Sequence, residues 1–330
     1  MLNINKIKNF KSDLILNMKK AIKIIIYPIL IFFIGLQIIS IFHAYNFTHF
    51  DEEYLGKKRD VKSLNNFEKL KAVIFGVKIP RPKNSVMPNQ KYESVKLKLQ
   101  KDTLDCWFIN IKNPKGIVLL FHGYGGNKSD LVEKATIFNK LGFSTVLVDF
   151  LGAGKSSGNK CTIGFHESDQ VKKVFNYFAI KNKNIILFGS SMGAVAVLKS
   201  IQENQLNCKA IILECPFGNM LKTVQTRFEL MKLPSFPMAN LIVFWGGIIN
   251  KFNAFSHNPI DYAKKIKTPT LLFYGDKDER VSFHEIKSIY NNLLGKKEIR
   301  IYNNANHNNI MECNKERWKQ DVNLFFKKNQ

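Results

Sequence analysis

The pattern of apolar and polar positions divides the chain into three stretches. The first centres on Ile24 to Phe42, 19 residues without a charge. As a helix this run would span roughly 28 Å, close to the hydrocarbon thickness of a bilayer. It predicts one N-terminal transmembrane helix, with Pro28 in its first turns, where a missing donor costs least. Residues 51 to 92 are charged, carry Pro80, Pro82 and Pro88, and are periodic only over Phe67 to Val77. They read as a stalk with at most one short amphipathic helix. From Glu93 a strict alternation begins: Val95, Leu97 and Leu99 stand between Lys96, Lys98 and Gln100. That is a half-exposed strand, with Leu104 to Ile109 as its hairpin partner across Lys101-Asp102-Thr103.

Beyond the hairpin, short apolar runs alternate with helical patterns. Strands are predicted at Ile117 to Phe121, Thr145 to Val148, Ile185 to Phe188, Ala210 to Leu213, Thr270 to Tyr274 and Glu298 to Tyr302. Helices are predicted from about Ser129 to Leu141 and His166 to Ile180. Continuously apolar strands separated by helices imply an α/β fold, a mostly parallel central sheet covered on both faces. Residues 216 to 268 interrupt the alternation with more apolar surface than one connecting helix needs. Their most apolar part, Leu241 to Ile249, is too short to span a membrane and is bracketed by Asn240 and Asn250, so the segment is expected to form a helical cap over the strand ends. The expected domains are 1–50, basic segment and membrane anchor; 51–92, linker; and 93–330, the α/β domain with its cap at 216–268.

Charge adds a compartment argument. The formal net charge is +24, with lysine scattered along the whole length. No Arg-rich block with interleaved aromatics appears, so the basicity points to anionic lipid rather than to nucleic-acid readout. Six lysines (Lys6, Lys8, Lys11, Lys19, Lys20, Lys23) precede the apolar run and four basic residues (Lys57, Lys58, Arg59, Lys62) follow it. This places the amino end inside and the globular part on the non-cytoplasmic side. A cleavable signal peptide is the competing reading, but the run exceeds a usual h-region and Phe42 stands where a cleavage site wants a small residue. Five cysteines form no C-x-x-C pair, which indicates neither a disulfide framework nor a zinc site. Cys208 and Cys215, flanking a buried strand, read as core residues.

The chemistry concentrates where strands end. Ile185 to Phe188 runs into Gly189-Ser190-Ser191-Met192-Gly193 and then a small-residue helical pattern. Strand, sharp turn and helix around G-x-S-x-G make a nucleophile elbow, with Ser191 at a strained apex and the Met192 amide aimed where an oxyanion would form. A serine hydroxyl needs a base, and the base an orienting acid. The loop Gly275-Asp276-Lys277-Asp278 and the loop Asn303 to Asn308, which holds His307, each follow a later strand at the same sheet edge. The order Ser191, Asp278, His307 is a nucleophile-acid-base order, with Asp276 as a second candidate for the acid. His122 reads as a brace for the loop after its strand, Asp149 as a structural strand-end acid, and His166 and His284 as caps or surface residues. Gly154-Lys155-Ser156 resembles the end of a Walker A loop, but that spacing requires glycine where Asp149 stands.

Four ordered stretches, HGYGGN, VDFLGAGKSSG, FGSSMGA and the pair IKTPTLLFYGDKDERV with NANHNN, resemble the α/β-hydrolase superfamily, in particular the membrane-anchored serine hydrolases of the Bem46 and alpha/beta-hydrolase-domain type. The resemblance covers roughly residues 93 to 328. It implies that Asp278 is the acid, since Gly275 and Val281 set the family's G-x-x-D-x-x-V register, and that the Tyr124 amide is the second oxyanion donor beside Met192. It also fits Glu167 to the family's acidic position at a helix start. The expected activity is hydrolysis of a carboxylic ester, or a thioester, of an apolar or acylated small-molecule substrate, without metal or organic cofactor. The alternatives are a serine peptidase or amidase of the same fold, and a non-catalytic membrane-tethered interaction protein.

Overall fold

The computed structural model describes the backbone of residues 2–52, 65–180 and 182–329. The four basic residues counted beyond the apolar run lie outside the described residues, as do the side chains of Lys6, Lys8 and Lys11. The chain starts with α1 (Leu2–Thr48), which contains a stretch, Ile15–Thr48, long and apolar enough to cross a membrane, its most apolar 18-residue window having a mean hydropathy of 2.6. Pro28 lies inside this helix rather than in its first turns. Residues 2–23 contain neither Gly nor Pro and continue the helix toward the amino end, leaving one carbonyl in the preceding turn without its donor.

The helix does not stand apart from the body. From Gly35 onward α1 becomes progressively covered; Ser40 and Ala44 are buried, as is Phe50 in the two-residue strand β1 (Phe50–Asp51). α2 (Asn66–Phe75), opened by an Asn65–Glu68 capping box, packs back on α1, where Phe75 meets Phe42 edge-on. β1 then pairs in parallel with β2 (Ile79–Pro80). The last part of the expected linker therefore lies on the domain: Pro82 accepts the Gly154 amide at 2.8 Å, and Asn84 donates to Asp149 at 2.9 Å.

The main sheet has eight strands. β3 (Glu93–Leu99) and β4 (Asp102–Ile109) form the antiparallel hairpin, with Leu99 opposite Asp102. The turn is thus Gln100-Lys101, one step earlier than the sequence pattern suggests, and Gln100 takes a positive φ of 55° to close it. β5 (Ile117–Phe121) is followed by α3 (Val132–Lys140), β6 (Ser144–Asp149) by α4 (Glu167–Ala179), and β7 (Ile185–Ser190) by α5 (Met192–Asn204). β8 (Ala210–Glu214) leads into α6 (Met220–Leu230), α7 (Met238–Asn250) and α8 (Pro259–Ala263). The chain closes with β9 (Thr270–Gly275), α9 (Phe283–Asn292), β10 (Lys297–Tyr302), α10 (Ile310–Cys313) and α11 (Lys315–Asn329). Strand order is β10-β9-β8-β7-β5-β6-β4-β3, parallel from β10 through β6.

The parallel strands β5 to β9 are buried along nearly their whole length, which explains their unbroken apolar runs. α4, α5, α8 and α9 pack in succession as one helical layer, while α3 and α11 meet through Phe138 and Trp318, centroids 5.5 Å apart, in the other. α6 and α7 fill the 216–268 segment beside α1: Trp245 donates to Gln37 at 2.8 Å. The expected α/β architecture, a mostly parallel sheet flanked by helices with one N-terminal apolar helix, is the observed one.

Candidate active site

Parallel strands bring their carboxyl ends to one edge, and the loops singled out from sequence follow β5, β7, β9 and β10 there. Ser191 sits between β7 and α5 with φ 51° and ψ −112°, a backbone region that costs about 1–3 kcal/mol and persists only where packing enforces it. The two glycines of the elbow permit that packing. A Cβ at Gly189 would lie 2.5 Å from the Ala194 nitrogen, and one at Gly193 2.4 Å from the Phe121 oxygen. The Ser191 amide donates to the Glu214 carbonyl on β8 at 2.7 Å, tying the turn to the neighbouring strand.

His307 reaches Ser191 from the loop after β10: its Nε2 lies 2.9 Å from Ser191 Oγ, and its Nδ1 lies 2.7 Å from Asp278 Oδ2. The His307 side chain is 7% exposed and that of Asp278 fully shielded. The other Asp278 oxygen accepts the amides of Arg280 and Val281 at 2.8 and 3.0 Å. Burial works to raise the pKa of Asp278, but the hydrogen bond and charge of His307, with the Val281 amide and the Cys215 thiol, hold its carboxyl below the usual range. Asp276 is exposed and accepts the Asn304 amide at 2.7 Å, away from His307.

On the opposite wall, Phe150 N–H donates to His122 Nε2 at 3.1 Å, so Nδ1 carries the proton and donates to the Gly123 carbonyl at 2.8 Å. Burial lowers the basicity of this ring, which serves as a fixed brace for the loop. The amides of Tyr124 and Met192 donate to no acceptor among the described residues, the latter because it opens a helix. The Tyr124 hydroxyl donates to the Phe47 carbonyl at 2.7 Å, and the two rings stack at 4.8 Å, so the end of α1 reaches the site. Glu167 accepts the amides of Thr162 and Gly164 at 2.9 and 2.8 Å and the Thr162 hydroxyl at 2.7 Å, ordering the loop before α4. His166 is no surface residue: its Nε2 pairs with the Asn250 carbonyl at 3.0 Å and joins α4 to the end of α7.

Ser191 and His307 open into a cavity of about 810 Å³ whose walls include Tyr124, Arg227 and Leu230 of α6, and Arg280. Three residues at or beside the site were given no part in its chemistry by the sequence, which marked Cys215 only as a core residue, and buried it is. Cys215 directly follows β8, and its sulfur, an Asp278 oxygen and a His307 nitrogen lie within 4.8 Å of one another. Such a trio has metal-ligand chemistry, yet both ring nitrogens are engaged, with Ser191 and Asp278, and burial pushes the thiol well up, keeping it protonated beside Asp278. Its place after a parallel strand was the available signal. Arg227 and Arg280, each a lone arginine in its segment, carry no such mark.

The comparisons with known proteins bear on the fold and the class of protein. Residues 112–259 match the family model described as serine aminopeptidase, S33. The chain is 26% identical over 211 residues to protein bem46 of Schizosaccharomyces pombe, covering 62% of this chain and 65% of that protein. It is 24% identical over 220 residues to lysophosphatidylserine lipase ABHD12 of Gallus gallus, covering 61% and 53%. In fold it is similar to the Pyrococcus furiosus esterase Pf2001, with a TM-score of 0.61 and 22% identity over 76% of this chain and 98% of the other. The motif order and the sheet are those of the α/β-hydrolase fold, and in sequence the chain is similar to Bem46-like hydrolases.

Proposed function

We propose that the protein is a membrane-anchored serine hydrolase that cleaves carboxylic esters of apolar acyl groups. The observation that carries the reading is the run of two hydrogen bonds, 2.9 Å from Ser191 to His307 and 2.7 Å from His307 to Asp278, at the mouth of the cavity. Ser191 Oγ attacks the ester carbonyl while His307 Nε2 takes its proton. Asp278 holds the ring with Nδ1–H toward itself and stabilises the imidazolium. The amides of Met192 and Tyr124 bind the oxyanion. His307 returns the proton to the leaving alcohol as the ester C–O bond breaks. A water molecule, deprotonated by the same ring, then releases the acid from Ser191.

The anchor is α1, and the polypeptide after it is the catalytic unit, facing the non-cytoplasmic side. α7 supports this placement: it is uncharged, packs beside α1, and exposes Phe244 and Ile248. An apolar face continuous with a spanning helix is what an interfacial surface requires. The esterase and lipase among the similar proteins support the ester reading. Peptidase or amidase activity is the second reading, favoured by the description of the matching family model.

The test is a fluorophosphonate probe on the full-length protein in detergent. Labelling of wild type and its loss in Ser191→Ala is expected; equal labelling of both overturns the mechanism. Turnover of acyl esters of increasing chain length against aminoacyl amides separates the two readings, and faster amide cleavage decides for the peptidase.

A further inference from the structure

Four cations, Arg81, Lys134, Arg227 and Arg280, line the catalytic cavity with the carboxylates of Asp130 and Glu312. Arg81 is bound by Glu52 and by the carbonyls of Ser156 and Gly158. Lys134 pairs with Glu214 at 3.4 Å. The carboxylate of Asp130 is engaged as a cap for Asn127. Arg227 and Arg280 are different: among the described residues, no acceptor meets any donor of either guanidinium.

Their surroundings make this arrangement informative. The Arg227 guanidinium lies 4.3 Å from the centroid of Phe47 and 5.5 Å from that of Tyr124. Aromatic faces hold a guanidinium by its flat side and leave the in-plane N–H donors free at its edge. Burial first, and the like charge of Arg280 as well, disfavour the charge on Arg227, only partly offset by Tyr124. A half-buried cation that faces a second cation and has no carboxylate partner among the described residues is unfavourable until an anion arrives. Both residues also border the reacting groups. Arg227 touches Tyr124, whose amide is assigned above to the oxyanion, and Arg280 follows Asp278 by two positions.

We infer that Arg227 and Arg280 form an oxyanion-recognising subsite in the Ser191 cavity, so that the ester substrate carries a phosphate- or carboxylate-type group close to the scissile bond. This deepens the proposed function and rests on it for the word substrate. Two planar forks supply enough donors for bidentate contacts to such a group. The apolar side of the cavity, including Leu230 and Phe217, remains for the acyl chain. Because Phe47 belongs to α1, the subsite is complete only when the end of the anchor helix is docked.

The experiment uses the full-length protein in neutral detergent micelles and two esters of one acyl chain: a monoacylglycerol, and the same compound phosphorylated on its glycerol. The expected kcat/KM is higher for the phosphorylated ester. Arg227→Gln should reduce the ratio of the two rates by about 10- to 100-fold, the loss expected for a charge-assisted hydrogen-bonded contact, and Arg280→Gln, at an exposed position, should reduce it less. Arg227→Lys, which keeps the charge without the fork, should fall between. A wild type that prefers the neutral ester, or a ratio that Arg227→Gln leaves unchanged, overturns the inference. A binding titration on Ser191→Ala separates it from the hydrolase reading. Arg227-dependent binding of the phosphorylated ester, in a protein whose parent takes no fluorophosphonate, would leave the subsite standing and remove the catalysis. Fluorophosphonate labelling together with binding indifferent to Arg227 would do the reverse. Competition by glycerol phosphate alone as effective as the ester would name a free phosphate as the ligand and overturn the substrate assignment.

Discussion

At the scale of single residues, the candidate site is a set of hydrogen bonds whose members differ in how replaceable they are. Asp278 receives two amides and the His307 ring, with the Cys215 sulfur within 4.8 Å of its carboxylate. Asp278→Asn keeps the shape but offers an N–H where His307 needs an acceptor, so kcat should fall ~10⁴-fold, measured as ester turnover at a temperature below the thermal transition of both proteins. Cys215 acts through Asp278. Its replacement by alanine leaves the amides and His307 in place, and kcat should fall only about fivefold, the effect of one neutral hydrogen bond, with recovery in Cys215→Ser, which restores a donor. An unchanged kcat in Cys215→Ala would make the thiol a packing residue. Ser191 and the two candidate acids follow unbroken apolar runs, and His307 follows the alternating strand Glu298 to Tyr302, so their loops were legible along the chain, while the choice of Asp278 over Asp276 came from the resemblance. Cys215 was not legible, since a buried cysteine beside a strand has the same local pattern whether it packs or positions.

Between elements, buried charge does what packing alone does not. The Lys128 ammonium is fully buried, lies over the Trp107 ring at 4.6 Å, and joins Asp105 on β4 to Asp149 at the end of β6, the latter at 2.9 Å. Lys128→Met leaves two shielded carboxylates without a cation and should cost about 3–5 kcal/mol, read from urea unfolding of the detergent-solubilised protein. The cap makes the other element-level prediction. Phe244→Glu with Ile248→Glu on α7 puts charge on the apolar face beside α1 and should slow turnover of esters presented in vesicles severalfold, while hydrolysis of a short soluble ester stays at the wild-type rate. Equal slowing on both would place the face inside the protein's own packing. The helical character of α7 follows from its sequence. Its docking on α1 joins residues about 200 positions apart, Gln37 to Trp245 and Ser40 to Met238, and no local pattern encodes such a pairing.

For the whole molecule, acid sensitivity follows from the carboxylates that folding holds ionised. Burial opposes the charge on Asp149 and Asp278, but Lys128 and Asn84 in the first case, and His307 with the Val281 amide in the second, bring both below their ordinary values. A depressed folded value stabilises the fold above the unfolded carboxylate range, about pH 4, and that stability disappears as pH falls through the depressed values. The thermal midpoint should therefore drop steeply below about pH 4, and less steeply in Asp278→Asn, which has one fewer proton to take up. Parallel melts from neutral pH down to about pH 2.5 test this; identical slopes would show that Asp278 is not linked to folding.

The sequence by itself determined the features that depend on neighbours along the chain: the apolar helix at the start, the alternating hairpin, the buried parallel strands and the elbow at Ser191. Burial on both faces of a parallel sheet writes itself as an unbroken apolar run, and a strained strand-to-helix turn as glycines around a serine. Tertiary structure alone decided what meets across long separations. It extended the first helix through Pro28 and carried the end of that helix onto the oxyanion loop, where Phe47 stacks on Tyr124. It brought the Cys215 sulfur within 4.8 Å of Asp278, and among the described residues it left Arg227 and Arg280 lining the cavity without an ion-pair partner. Pairing and its absence are properties of neighbours in space, and for Arg227 those neighbours come from the first fifty residues, the loop after β5 and the acid loop.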